Sequence, residues 1–197
     1  MTLPQGSEKV RNRPPYGALI LLGMVLLYAW FFVFQKPYAV THQTHLRQGE
    51  CFANLKVWFT EQLVTLHEKG AYTASTALSG FNPERGNRYA YFAGPGPLED
   101  RGAEKAVGRE QAQGIGVDTF SHPGTAVTFQ QLPASVARQV GVSGQCPRCD
   151  ITMACMGQID DDETLDVWTI STAERKTPEG VGILPGQPFN DVNDDAR

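Results

Sequence analysis

The 197-residue chain carries 17 basic and 21 acidic side chains and forms no basic stripe, which argues against nucleic acid as a partner. Twenty glycines and thirteen prolines point to a loop-rich domain. Roughly 160 residues lie outside one apolar N-terminal segment, enough for a single globular domain and hardly for two.

Residues 1–15 are polar and basic, with Lys9, Arg11 and Arg13, and end in Pro14-Pro15; they read as a short cytoplasmic tail. Tyr16–Phe34, YGALILLGMVLLYAWFFVF, contains no charged residue. At a helical rise of about 1.5 Å per residue it spans about 28 Å, close to the hydrocarbon thickness of a bilayer. A membrane-spanning helix is expected over 16–35, with a buried core helix of a soluble protein as the alternative. The upstream basic residues keep the N-terminus in the cytoplasm, which places 36–197 in the periplasm or outside the cell. A signal peptide would have an apolar core of about 7–15 residues, and PYAVTHQTH offers no convincing small-x-small cleavage site. A retained single-pass anchor in the inner membrane is therefore expected.

Pro37 is expected to end or kink the helix. From about Thr41 to Lys69 the helical period returns, with Phe52, Leu55, Phe59, Leu63 and Leu66 forming one apolar stripe and Gly70 at the C-terminal cap. Arg88–Gly94 reads as a strand with Tyr89 and Tyr91 on one face and Ala90 and Phe92 on the other. Gly94–Gly116, rich in glycine and charge, reads as an exposed excursion with little core. Val127–Leu132 reads as a short strand and Pro133–Val140 as a short helix. Asp150–Ile159 and Leu165–Ala173 form a hairpin around the acidic turn Asp160-Asp161-Asp162-Glu163-Thr164. The tail from Thr177, interrupted by Pro178, Pro185 and Pro188, is expected to wrap the surface. The pattern is α+β: one long N-terminal helix packed on a small antiparallel sheet.

These stretches resemble type IV pilins, in particular the pilin-like fimbrial proteins of myxobacteria and their relatives. GFNPERGNRYAYF at Gly80–Phe92 resembles the segment after their long helix, and LKVWFTEQLVTLHEKGAYTAS at Leu55–Ser75 the end of that helix. MGQIDDDETLDVWTISTAER at Met156–Arg175 resembles their C-terminal hairpin, and GQPFNDVNDD their closing tail. Gly94–Gly144 matches nothing in that pattern. The N-terminus also departs from it. Where the family has Gly-Phe after a basic leader and a Glu within the apolar helix, this chain has Pro14-Pro15-Tyr16 and no Glu in the run.

The resemblance implies a structural component, not an enzyme: a minor pilin, pseudopilin or membrane-anchored accessory subunit of a type IV pilus or related secretion assembly. Its partners would be the membrane, other pilin-like subunits and the pilus or secretion machinery. A membrane-tethered periplasmic binding or sensing domain outside any filament is the rival.

Two groups could carry chemistry. Asp160, Asp162, Thr164 and Asp166 alternate through the acidic turn, a pattern that could aim several hard oxygens at Ca²⁺; pseudopilins are similar in placing calcium in a C-terminal loop. No EF-hand signature is present and no other cofactor is implied. Cys146-Pro147-Arg148-Cys149 admits a redox pair, half a zinc site with Cys51 and Cys155, or a local disulfide. In an oxidising compartment disulfides are expected, and of the three connectivities Cys146–Cys149 with Cys51–Cys155 is preferred, because the second staples the helix to the sheet. Finally, in the loop around Gly86-Asn87, Glu84 is expected to pair with Arg88.

Overall fold

A computed structural model describes residues 16–160, 162–177 and 180–194; the basic tail expected over 1–15 lies outside them. The chain divides after Val40 into two compact units. In the first, α1 (Tyr16–Trp30) runs into a π-helical turn, Phe31–Gln35, where the Lys36 N–H reaches the Phe31 carbonyl. Helix α2 (Lys36–Lys69) then begins and passes through Pro37. The proline has no N–H to return to the carbonyl four residues back, and the wider turn directly ahead of it absorbs that break instead of ending the helix. Every side chain from Tyr16 to Lys36 is exposed.

The second unit starts at Thr41 and holds the rest of α2. A short α3 (Thr76–Ser79) follows, its first turn capped by the Ser75 hydroxyl accepting from the Leu78 N–H. The sheet is built from β1 (Tyr89–Phe92), β2 (Leu98–Glu99), β3 (Gly114–Ile115), β4 (Gly141–Gln145), β5 (Arg148–Gly157), β6 (Asp166–Ser171) and β9 (Phe189–Val192). Its order is β2-β3-β1-β5-β6-β9, and β4 also pairs with β5. All pairings are antiparallel except β2 with β3. Helix α4 (Ala134–Ala137) follows Pro133, as the sequence predicts. Strands β7 (Arg175–Lys176) and β8 (Gly182–Ile183) form a separate two-stranded ribbon.

The sheet is covered on both faces, and period-2 alternation decides which residue goes where. Tyr89, Tyr91, Ile151, Met153 and Cys155 point to the α2 side and pack with Cys51, Leu55, Trp58 and Phe81. Ala90, Phe92, Ala154 and Met156 point the other way and pack with Val117, Val127, Leu132, Val136 and Val140. Fully burying one such side chain is worth about 1.5–3 kcal/mol. The second cluster explains the segment that resembles nothing familiar: residues 117–140 supply the layer behind the sheet.

Four expectations need correction. The buried stripe of α2 is Thr44, Gln48, Cys51, Leu55, Trp58, Gln62 and Thr65, rotated roughly 70° from the predicted one at about 100° per residue. Phe52 and Leu63 are 44% and 43% exposed, beside exposed Leu46, Val57 and Val64. The polar members turn inward because the domain satisfies them. Gln62 donates to the Thr73 carbonyl (2.7 Å) and accepts from the Thr73 N–H (3.1 Å), and the Trp58 indole donates to Ser79. Gly94–Gly116 is not an exposed excursion, since it contributes β2, β3 and buried Glu99, Arg101, Ala112 and Ile115. Val127–Leu132 contains no strand; Phe129–Gln131 is a 3-10 turn closed by a capping box between Thr128 and Gln131. The tail does extend the sheet, because β9 takes the edge beside β6, where Pro188 just outside the strand has no ladder bond to supply.

Candidate functional site

The residues singled out by sequence separate into an acidic surface loop, a buried carboxylate beneath it and two cystines. In the loop, Asp160 Oδ1 accepts the Asp162 N–H (3.0 Å) and Asp162 Oδ1 accepts the Thr164 N–H (2.5 Å). The Gln158 amide donates to the Asp160 and Asp162 carbonyls. Carboxylate oxygens of Asp160, Asp162 and Asp194 lie within 4.8 Å of one another. Asp194 comes from the tail after β9 and has no sequence signal linking it to the loop. All three offer hard oxygen, the donor type that suits Ca²⁺, but the set falls short of the six to eight oxygens that ion takes.

Asp166 does not join them. As the first residue of β6 it is fully buried. Its Oδ1 accepts from Gln48 of α2 (3.1 Å), Asn190 of β9 (3.2 Å) and the Asp194 N–H (3.3 Å). Its Oδ2 accepts from the Tyr89 hydroxyl and the Trp168 indole, both at 2.6 Å. Five donors from α2, β1, β6, β9 and the tail thus converge on one carboxylate. Burial and the neighbouring Asp166 charge push the Tyr89 phenol far above its ordinary range, so it remains a donor.

Nearby, Glu50 of α2 accepts the Arg88 N–H with both oxygens (3.0 and 3.2 Å) and the Tyr91 hydroxyl (3.2 Å). Burial outweighs these bonds and raises its pKa. Glu50, Asn54, Glu84 and Arg85 line a polar cavity of about 440 Å³. The expected Glu84–Arg88 pair is absent among the described residues. Arg85 instead forms a two-point pair with Asp118 (2.5 and 3.0 Å). Hydrogen bonds from Arg85 and from the Gly86 and Ser121 N–H groups hold the Asp118 carboxyl below its usual range.

Sequence reasoning also missed a buried charge cluster. Arg101, 2% exposed, donates to Glu99 (2.9 Å), Asn87 (2.8 Å), Asn82 (3.0 Å) and the Pro83 carbonyl (3.0 Å). Arg109 closes on the second Glu99 oxygen at 2.9 Å. It fixes the GFNPER loop against β2, so those polar residues serve as internal scaffolding.

The structure bonds Cys51 of α2 to Cys155 of β5, both fully buried, and Cys146 of the β4–β5 turn to Cys149 of β5. The second pair leads into β5 and not into a helix N-terminus that would activate a thiol.

An exposed N-terminal apolar helix, together with a helix-on-sheet domain locked by buried polar and disulfide ties, defines a membrane-anchorable α+β subunit with no assembled catalytic constellation among its described residues. The chain belongs to the type IV pilin family: the family described as Type IV pilin PilA matches residues 42–166. The Type IV major pilin protein PilA of Myxococcus xanthus (strain DK1622) is 30% identical over 180 residues, spanning 80% of this chain and 81% of that relative. The myxobacterial resemblance read from the sequence motifs is thereby shown, and with it a structural role in a pilus.

Proposed function

We propose that this chain is a minor or accessory pilin. Tyr16–Gln35 holds it in the inner membrane, the N-terminus faces the cytoplasm, and Thr41–Arg197 faces the periplasm until assembly. The observation that carries the subunit role is the apolar exposure along α2 on both flanks of its buried stripe. Phe52 and Leu63 on one flank, and Leu46, Val57 and Val64 on the other, remain exposed beside the packed stripe, apolar surface that neighbouring subunits would cover. The minor assignment is supported by Pro14-Pro15-Tyr16 and by an apolar run without Glu, where family members carry Gly-Phe and Glu. The test is quantitative mass spectrometry of sheared pili together with intact mass from native membranes. A few copies per filament support the reading; equality with the most abundant pilin, or absence from pili, sinks it.

We propose further that Asp160, Asp162 and Asp194 would be the protein ligands of a calcium ion, with carbonyls or water completing the shell. The ion would tie the acidic loop to the closing tail.

A further inference from the structure

The two cystines meet solvent very differently. Cys51 and Cys155 are both fully buried and belong to the core cluster between α2 and the sheet. A thiolate reaches that bond only when the helix leaves the sheet. Cys146 is exposed, within a run from Val142 to Arg148 that is exposed throughout. Its partner Cys149 is 7% exposed in β5 and belongs to neither core cluster. One end of this bond therefore stands in solvent and the other behind it. The charge at the tip favours an incoming anion. Arg148 is exposed and the run Gly141–Cys149 holds no acid; Asp150, the next residue, accepts the Thr172 hydroxyl (3.0 Å).

We propose that Cys146–Cys149 is a site of thiol–disulfide exchange, open in the folded protein to a dithiol reductant to which Cys51–Cys155 stays closed. Exchange proceeds by attack of a thiolate on one sulfur while the other leaves, and the exposed end selects Cys146 as the one attacked. A bond forms from the reductant's sulfur to Cys146 Sγ. The Cys146–Cys149 bond breaks, and its electron pair leaves on Cys149 Sγ, which takes a proton from water. The reductant's second thiolate then attacks its own sulfur in the mixed disulfide and releases Cys146, which is protonated in turn. The cystine gains two electrons and the dithiol becomes a disulfide. The pair is the substrate of this exchange and not its reagent, since no helix N-terminus activates either thiol once freed. Opening it leaves both core clusters whole. What it releases is the end of β4, which pairs with β5 alone and has four of its five residues exposed. The site does not depend on the minor-pilin reading.

The probe is dithiothreitol added to the full chain in mild detergent, with freed thiols alkylated at intervals and located by peptide mass. Cys146 and Cys149 are expected to be labelled about tenfold faster than Cys51 and Cys155, or more. Urea below the unfolding transition separates reaction of the folded state from reaction through opening of the domain. The Cys146–Cys149 rate is expected to stay within about twofold over that range, and the Cys51–Cys155 rate to climb. Equal rates for the two pairs, or no labelling of Cys146 and Cys149 before the chain unfolds, overturns the inference. So does a Cys146–Cys149 rate that climbs with urea in step with the other. No substitution is involved, so a folding defect cannot imitate either result.

Discussion

Replacing Cys51 and Cys155 together with alanine removes the one covalent tie between α2 and the sheet. The bond closes a loop of sequence separation 104, against 3 for Cys146–Cys149. In the chain-entropy relation a cross-link restricts the unfolded ensemble in proportion to the logarithm of its loop length. That gives about 4.7 kcal/mol for the long loop and about 1.6 kcal/mol for the short one at 25 °C. With a urea slope of about 2 kcal/mol per molar, the C51A/C155A midpoint should fall by about 2 M and that of C146A/C149A by less than 1 M. The assay is urea unfolding of the full chain in mild detergent, followed by tryptophan fluorescence; Trp58 is fully buried and Trp168 donates to buried Asp166. Equal midpoint shifts for the two double variants, or a larger shift for C146A/C149A, would refute the argument from loop length.

Three other outcomes follow from the polar groups. Asp166→Asn turns an acceptor of five donors into a neutral amide whose own N–H groups face them; a loss of about 3–5 kcal/mol is expected in the same assay. Glu50 has a folded pKa above its ordinary 4.5, so its contribution to stability is fully present below pH 4.5 and is lost as pH rises through the folded value. Glu50→Gln should therefore gain on the wild type between pH 4.5 and 7, and a stability difference independent of pH over that window would sink the assignment. Calcium titration should raise the melting temperature of the wild type and not of Asp162→Asn; identical responses would remove the loop as the ion's site.

The strands that could be read from sequence were those whose alternation is undisturbed. Tyr89–Phe92 splits its aromatic and alanine residues between the two core clusters as predicted, and the β5–β6 hairpin brackets the acidic turn as expected. In helix α2 apolarity is not the sign of burial. Gln48, Gln62 and Thr65 point inward since their partners, Asp166, Thr73 and the Glu61 carbonyl, are supplied locally or by the fold. Arg101 was hidden for the same reason: its acceptors Asn82, Pro83 and Asn87 lie far off in sequence, and a charge in a glycine-rich stretch reads as solvent-exposed. That Asp160 and Asp162 share one turn is legible from their spacing. That Asp194 joins them is not, because only the strand pairing of β9 beside β6 brings the tail to the loop.

The Cys51–Cys155 bond also bears on mechanics. A pull applied between the start of the second unit and its C-terminal strand enters through α2 and crosses directly to β5 at the cystine. The chain of separation 104 between the two sulfurs carries none of that load. At about 3.4 Å per extended residue, roughly 350 Å of contour length is withheld from any stretching event while the bond is intact. The oxidised subunit should therefore yield under tension only by short steps from its two ends, and reduction would turn the same domain into a long elastic tether.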